Sequence, residues 1–426
     1  MLAQAGQVSV QLIDSIMVGH VGTTELAASA FANSIFVVGL VFGMGFTFGI
    51  TPLVGKAFGE NNHNRVGDLL RNSLILNSLI SLIIFLILYG FSFLMPYMGQ
   101  PSSVANLSIP YYRSLVFSMF PFILFFTFKQ FFEGLGITKV ATISTLLANF
   151  INIILNYILI YGYLGFDAMG LLGAGVSTFI SRMIMPIIFI LWFIQSEHYV
   201  KYKKALNIKY FRIKELYNLF WYSLPIGLQI VVEVIAFAAG GVMMGWLGEV
   251  ALASHQIALG IASFTFMIAS GIGSATTIRI SFQLGQKKYT DLKLAGKASV
   301  HLAVILMTLT GISFLFFRNY LPIAFTDDSR VIILASKLLL FAAAFQIVDA
   351  TQLVSISALR GLSDIKFALF LSIISYGIFT LGISYVFAFI FNFGPEGIWM
   401  GYVLGLTFAA IVFYLRFIKL SNQLIK

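Results

Sequence analysis

The sequence predicts an all-α integral membrane protein of twelve transmembrane helices, arranged as two parallel six-helix lobes. Three observations lead there. Of the 426 residues, 59% are hydrophobic and 10% charged, with a mean hydropathy of +0.95; a soluble domain is about 25% charged and about 45–50% apolar. Uncharged stretches long enough to span a bilayer recur along the chain. The second half repeats the first.

The elements follow in order. Helices are expected at 1–19, 26–54, 67–95, 105–131, 139–162, 170–195, 216–240, 250–280, 295–317, 330–358, 367–391 and 397–419. No charge falls between Arg71 and Arg113, Lys139 and Asp167, Glu249 and Arg279, or Lys366 and Glu396. The interruptions are short and rich in Gly, Asn or Pro, such as Asn61-Asn62, Gly99-Gln100-Pro101 and Gly394-Pro395, as helix connections require. A membrane β-strand would alternate polar and apolar residues. The run Leu82-Ile83-Ile84-Phe85-Leu86-Ile87-Leu88 does not. Residues 1–19 lack a basic leader, and Gln4, Gln7, Gln11 and Asp14 break their apolar run, so no cleavable signal peptide is expected.

Basic residues set the orientation. Lys56, Arg65 and Arg71; Lys129 and Lys139; Lys201, Lys203, Lys204, Lys209, Arg212 and Lys214; Lys287, Lys288, Lys293 and Lys297; Arg360 and Lys366; and Arg416, Lys419 and Lys426 fall on alternate connections. The opposite side carries little beyond Arg113, Arg318, Arg330 and Lys337. By the positive-inside bias both termini and the central loop are cytoplasmic. The net charge of +10 then reflects topology rather than nucleic acid. The absence of cysteine excludes disulfides, thiol catalysis and zinc–thiolate or iron–sulfur sites.

Shifted by 226, Gly19-His20-Val21-Gly22 falls on Gly245-Trp246-Leu247-Gly248, Leu26-Ala27 on Leu252-Ala253, Gly45 on Gly271 and Gly59 on Gly285. With a shift of 227, Gly134-Leu135 meets Gly361-Leu362, Lys139 meets Lys366 and Gly170 meets Gly397. Six helices per half make the repeat parallel, about a pseudo-twofold along the membrane normal. The expected organisation is an N-terminal lobe at 1–200, a basic cytoplasmic linker at 201–215 and a C-terminal lobe at 216–426. Against helix seven, which places Ser223-Leu224-Pro225 ahead of Glu233, helix one reads as shortened.

Charges inside spans cost about 2.5–3.5 kcal/mol at mid-bilayer, so those that occur carry function by default. Three acids fall inside predicted spans: Asp14, Glu233 and Asp349. Each lies on a polar stripe at helical spacing: Gln4, Gln7, Gln11 and Asp14; Gln229 and Glu233; Gln346, Asp349 and Gln352. Helix five adds Thr145, Asn149, Asn152 and Asn156. Such stripes face protein or a water-filled cavity. Interhelical hydrogen bonding explains the isolated amides and hydroxyls. It explains the carboxylates poorly, although Arg182 in helix six can pair with Asp14. A carboxylate among amides and hydroxyls can exchange a proton, bind sodium through oxygen ligands, or attract an organic cation flanked by aromatic faces. His20, His255 and His301 are scattered with no metal spacing, and Gly43-Met44-Gly45 lacks the strand–turn–helix setting of a nucleotide loop.

Asp14-Ser15-Ile16-Met17-Val18-Gly19-His20-Val21-Gly22, followed by Leu26-Ala27-Ala28, resembles the first-helix signature of multidrug and toxin extrusion (MATE) transporters of the NorM-like branch. Asn152 and Asn156 ahead of Tyr157-Ile158-Leu159-Ile160-Tyr161-Gly162 resemble its fifth helix, and Ala358-Leu359-Arg360-Gly361 after Asp349 its tenth. The resemblance implies a multidrug efflux antiporter of the bacterial inner membrane, exporting cationic amphipathic compounds against sodium or protons by alternating access. It implies no cofactor beyond the coupling ion. The expected partners are small organic cations and membrane lipids, with no nucleic acid, and the expected state is a monomer. By motif position Asp14, Asn152, Asn156 and Thr178 match the ion or proton site of the N-terminal lobe. Glu233 and Asp349 match the carboxylates of the C-terminal lobe. Sodium is expected at one of these two sets.

Other readings are a lipid-linked oligosaccharide flippase of the same superfamily and a membrane-embedded lipid-modifying enzyme. A flippase would line its cavity with cations for anionic headgroups, whereas the intramembrane charges here are mostly acidic. For an enzyme, Asp327-Asp328 is the one adjacent acidic pair, and it falls in an external loop. A major-facilitator symporter would carry a compact Asp-Arg/Gly-Arg cluster where Gly59-Glu60-Asn61-Asn62-His63-Asn64-Arg65 stands. A structural scaffold would not need three intramembrane acids.

Overall fold

The structure, a computed structural model, describes residues 10, 13–206 and 213–425. Residues 13–19 are helical and form the described part of α1. Eleven further helices among the described residues are long and apolar enough to cross a membrane. They are α2 (Thr23–Gly59), α3 (His63–Tyr97), α4 (Ser102–Gly134), α5 (Lys139–Tyr161), α6 (Leu171–Gln195), α7 (Ile213–Trp246), α8 (Glu249–Gly285), α9 (Tyr289–Phe317), α10 (Ser329–Gly361), α11 (Ile365–Ile390) and α12 (Gly394–Ile425). Gln4, Gln7 and Gln11, and with them the length of helix one, lie outside the described residues. So do Lys209 and Arg212.

Most helices run past their expected ends. Hydropathy stops at the first charge, whereas backbone hydrogen bonding continues into the interface. At α3, expected from 67, the Asn62 side chain accepts from the Arg65 amide at 3.0 Å and starts the helix at His63. Two helices are interrupted. Phe48 and Gly49 separate Thr23–Thr47 from Ile50–Gly59, and Ser118 separates Ser102–Phe117 from Met119–Gly134. A third, α11, is π-wound over Ile374–Gly382 and Val386–Ile390.

The helices group into two compact units, up to Gly227 and from Leu228, so the division falls inside α7. The first packs a ring-rich core in which Phe125, Phe126, Phe131, Phe132 and Phe189 are fully buried. The second is centred on Trp399, Tyr402 and Tyr376.

The repeat survives as matched contacts, each within its own unit. Thr51 donates to the Gln130 carbonyl at 3.0 Å, and Thr277 to the Ser357 carbonyl at 2.8 Å. One turn on, a Cβ at Gly134 would stand 2.8 Å from Val54 Cβ, and one at Gly361 2.9 Å from Ile280 Cβ. Only glycine lets these helices approach so closely. One pairing read from the sequence is displaced. Gly170 (φ +54°) caps α6 and Gly394 (φ +60°) opens α12. The backbone therefore matches Gly170 with Gly394, not Gly397, because the loop before α12 is shorter.

Candidate functional site

In the first unit α1, α5 and α6 bring polar side chains together. Asn152 and Asn156 stand one turn apart on α5, both buried. The Asn156 amide nitrogen donates to Asp14 Oδ1 and, at 3.2 Å, to Asn152 Oδ1. Ser177 of α6 donates to Asn156 Oδ1 and to the Ala174 carbonyl. Tyr161 closes the end of the cluster by donating to the Met17 carbonyl at 3.0 Å. Asp14, Asn152 and Asn156 thus meet. Thr178 does not join them through its hydroxyl, which donates to the Ala174 carbonyl of its own helix at 2.9 Å. Ser177 makes the interhelical bond instead.

In the second unit α7 supplies Gln229 and Glu233, and α10 supplies Asp349 and Arg360. Asp349 is 5% exposed and its Oδ1 has no hydrogen-bond partner among the described residues. Glu233 lies within electrostatic reach of Asp349, Arg360 and the buried Tyr376 of α11. Arg360 donates to Gln229 Oε1. Gln346 accepts from Thr310 at 3.1 Å. Glu233 thus stands near a second carboxylate, Asp349, and one guanidinium, Arg360.

Asp328, of the adjacent acidic pair in the external loop, is structural. Asp328 accepts from the Arg330 amide at 2.9 Å and its side chain at 2.8 Å. That pairing pulls its carboxyl down to about 2 and starts α10. It is a helix cap, not the acid of a lipid-modifying site. Among the described residues no three His, Cys, Asp or Glu side chains are grouped as a metal site.

The MatE family model matches residues 1–158 and 225–386, covering both units. The chain belongs to the MATE family. It is 30% identical over 421 residues to the multidrug resistance protein NorM of Photobacterium profundum, covering 98% of this chain and 92% of that one. It is 33% identical over 430 residues to the probable multidrug resistance protein NorM of Mannheimia succiniciproducens, covering 99% and 92%. Its fold superposes on a MATE transporter in the bent conformation with a TM-score of 0.90, at 21% identity over 100% of this chain and 93% of that one. The eukaryotic MATE transporter AtDTX14 gives 0.85, at 19% identity over 99% and 95%. This MATE protein is therefore a multi-pass membrane transporter and not an enzyme.

Sequence reasoning missed three residues of the candidate site: Ser177, Gln229's partner Arg360, and Tyr376. Ser177 had a signal. Gly173, Ser177 and Ser181 repeat every four residues on α6, a small-residue stripe fit to receive the Asn stripe of α5. Tyr376 had none, because its placement depends on the π winding of α11.

Proposed function

We propose that this MATE protein is a secondary active multidrug efflux antiporter that exports cationic amphipathic compounds in exchange for sodium ions or protons by alternating access. The observation that carries the reading is the pairing of Asp14 with Asn156 inside the first unit. A carboxylate held by an amide in a lipid-enclosed lobe is expensive for a purely structural bond. With its nitrogen toward Asp14, the Asn156 amide donates to the carboxylate, an arrangement suited to proton exchange. Turned by half a rotation, it presents Oδ1, and Asp14, Asn152 and Asn156 then offer oxygen ligands to sodium. In the second unit, two carboxyl groups, Glu233 and the buried Asp349, near a single guanidinium support a second cation or proton step. The relatives' names, multidrug resistance protein NorM, support drugs as cargo.

Release follows from competition. A cation or proton that neutralises the carboxylates removes the charge that attracts a cationic drug, and inward ion movement supplies about 2.3 kcal/mol per charge per 100 mV. The working location is the bacterial inner membrane, with both termini cytoplasmic and the monomer as the transporting unit. Nothing beyond the coupling ion is needed as cofactor.

The test is efflux of a fluorescent cation from proteoliposomes with sodium and pH gradients imposed separately. Wild type should transport under one of them. Glu233→Gln and Asp14→Asn should each lose at least tenfold in coupled rate, equivalent to a barrier raised by about 1.4 kcal/mol, while inserting normally. Normal coupled efflux by both variants would sink the reading.

A further inference from the structure

Arg182 lies on α6 one turn beyond Thr178, and no step above uses it. Its Nη1 donates to Ser118 Oγ at 2.7 Å. Its guanidinium carbon stands 4.7 Å from the ring centroid of Phe122 and 5.4 Å from that of Phe36. Both rings are buried, and a cation over a dry aromatic face is held more firmly than one at an exposed face. Ser118 is the fully buried residue that interrupts α4, and its own hydroxyl proton goes to the Leu115 carbonyl at 2.6 Å. Arg182 also interacts electrostatically with Asp14 and Tyr111. Its hydrogen bond, however, is directed to Ser118, while Asp14 is bonded by Asn156. A full positive charge is thus parked on a hydroxyl and two rings, close to a carboxylate it does not cover.

We infer that Arg182 is a tethered competitor for Asp14: its guanidinium exchanges between Ser118, Phe36 and Phe122 and the Asp14 carboxylate, and an incoming cation must compete with it there. The inference rests on the antiport reading and adds a specificity-determining residue to it. A guanidinium stays protonated at any physiological pH, so it leaves only by displacement. Being attached to the same unit, it acts at a high local concentration. The fraction of time it covers Asp14 lowers the apparent affinity of an incoming cation by that fraction. Arg182 thereby sets a threshold at Asp14: a cation must bind strongly enough to displace it, whereas a neutral molecule incurs no such penalty.

The probe is tetraphenylphosphonium, which has no titratable group. Its binding to the purified full chain is measured by equilibrium dialysis. Arg182→Gln should bind it at least about threefold more tightly than wild type, as expected if the guanidinium covers Asp14 two-thirds of the time. Arg182→Lys should stay near wild type. Ser118→Ala removes the alternative partner and should weaken binding about twofold. All these differences should vanish in an Asp14→Asn background. Structural damage would move Arg182→Gln and Ser118→Ala in the same direction. Unchanged, weaker or undetectable binding by Arg182→Gln overturns the inference, as does tightening that survives Asp14→Asn. Asp14-dependent tightening in a protein without coupled efflux would sink the antiport reading and leave the tethered cation standing. Coupled efflux without tightening would do the reverse.

Discussion

At Asn156 both amide hydrogens and the carbonyl oxygen are engaged, by Asp14, Asn152 and Ser177. Asn149, two turns earlier on the same stripe, has an amide nitrogen with no partner among the described residues. The two therefore separate by consequence. Asn156→Ala leaves Asp14 without its buried partner, while Ser177 keeps the Ala174 carbonyl, and should cost about 1–3 kcal/mol, read as a lower melting temperature in detergent, together with loss of coupled efflux. Asn149→Ala should leave the melting temperature close to wild type. Equal losses from both would mean that the stripe acts only as packing. The residue scale is also where sequence reading reaches its limit. Spacing puts Asn152 and Asn156 on one face, because a helix fixes that by geometry. It cannot decide between Ser177 and Thr178, adjacent hydroxyls some 100° apart around α6, without knowing how α6 is rotated against α5.

The elements differ in how much of them hydropathy reveals. Existence and order are legible because lipid forces every backbone polar group into a helix. The winding is not: α11 reads as an ordinary apolar run, yet two stretches of it are π-helical. Its partner explains how it is held. Gly397, Gly401 and Gly405 repeat every four residues along α12. A Cβ at Gly397 would stand 2.6 Å from the Ala388 amide nitrogen, one at Gly401 would strike the Ser384 backbone, and one at Gly405 would stand 2.6 Å from Thr380 Cα. Backbone meets backbone along this seam, and Ser384 adds a hydrogen bond to the Ile398 carbonyl at 2.9 Å. Backbone cannot give way as a side-chain tip can, so Gly401→Ala should destabilise by about 1–3 kcal/mol. Gly377, in the same π segment, has open space at its Cβ. Gly377→Ala should be neutral or stabilising by up to about 1 kcal/mol. Thermal unfolding of the two variants side by side checks the seam; equal effects would remove it.

For the whole molecule, the alternating placement of Lys and Arg implies a definite sidedness, and the chain offers a clean way to test it. It has no cysteine, so any introduced thiol is unique. Lys201, in the short helix Val200–Ala205, and Leu164, in the connection between α5 and α6, are exposed and lie on opposite sides of the predicted topology. In intact cells an impermeant maleimide should label Leu164→Cys and leave Lys201→Cys unmodified until the membrane is opened. The converse pattern would invert the orientation. The repeat was legible for the same reason as the helices. Close backbone approaches demand glycine at fixed places, and Gly134 and Gly361 hold those places. The change of partner from Gly397 to Gly394 was not legible, since glycines three residues apart are indistinguishable until their φ angles are known.

The matched junctions carry one further consequence. The threonine–carbonyl bonds and the glycine approaches recur in both units, but the acids do not. At the repeat positions of Asp14, Glu233 and Asp349 stand Gly240, Gln7 and Phe122. The two halves therefore share their joinery and differ in where their charges stand. They are unequal workers inside equal frames. A chimera joining two copies of either half would inherit the matched junctions and lose the division of labour.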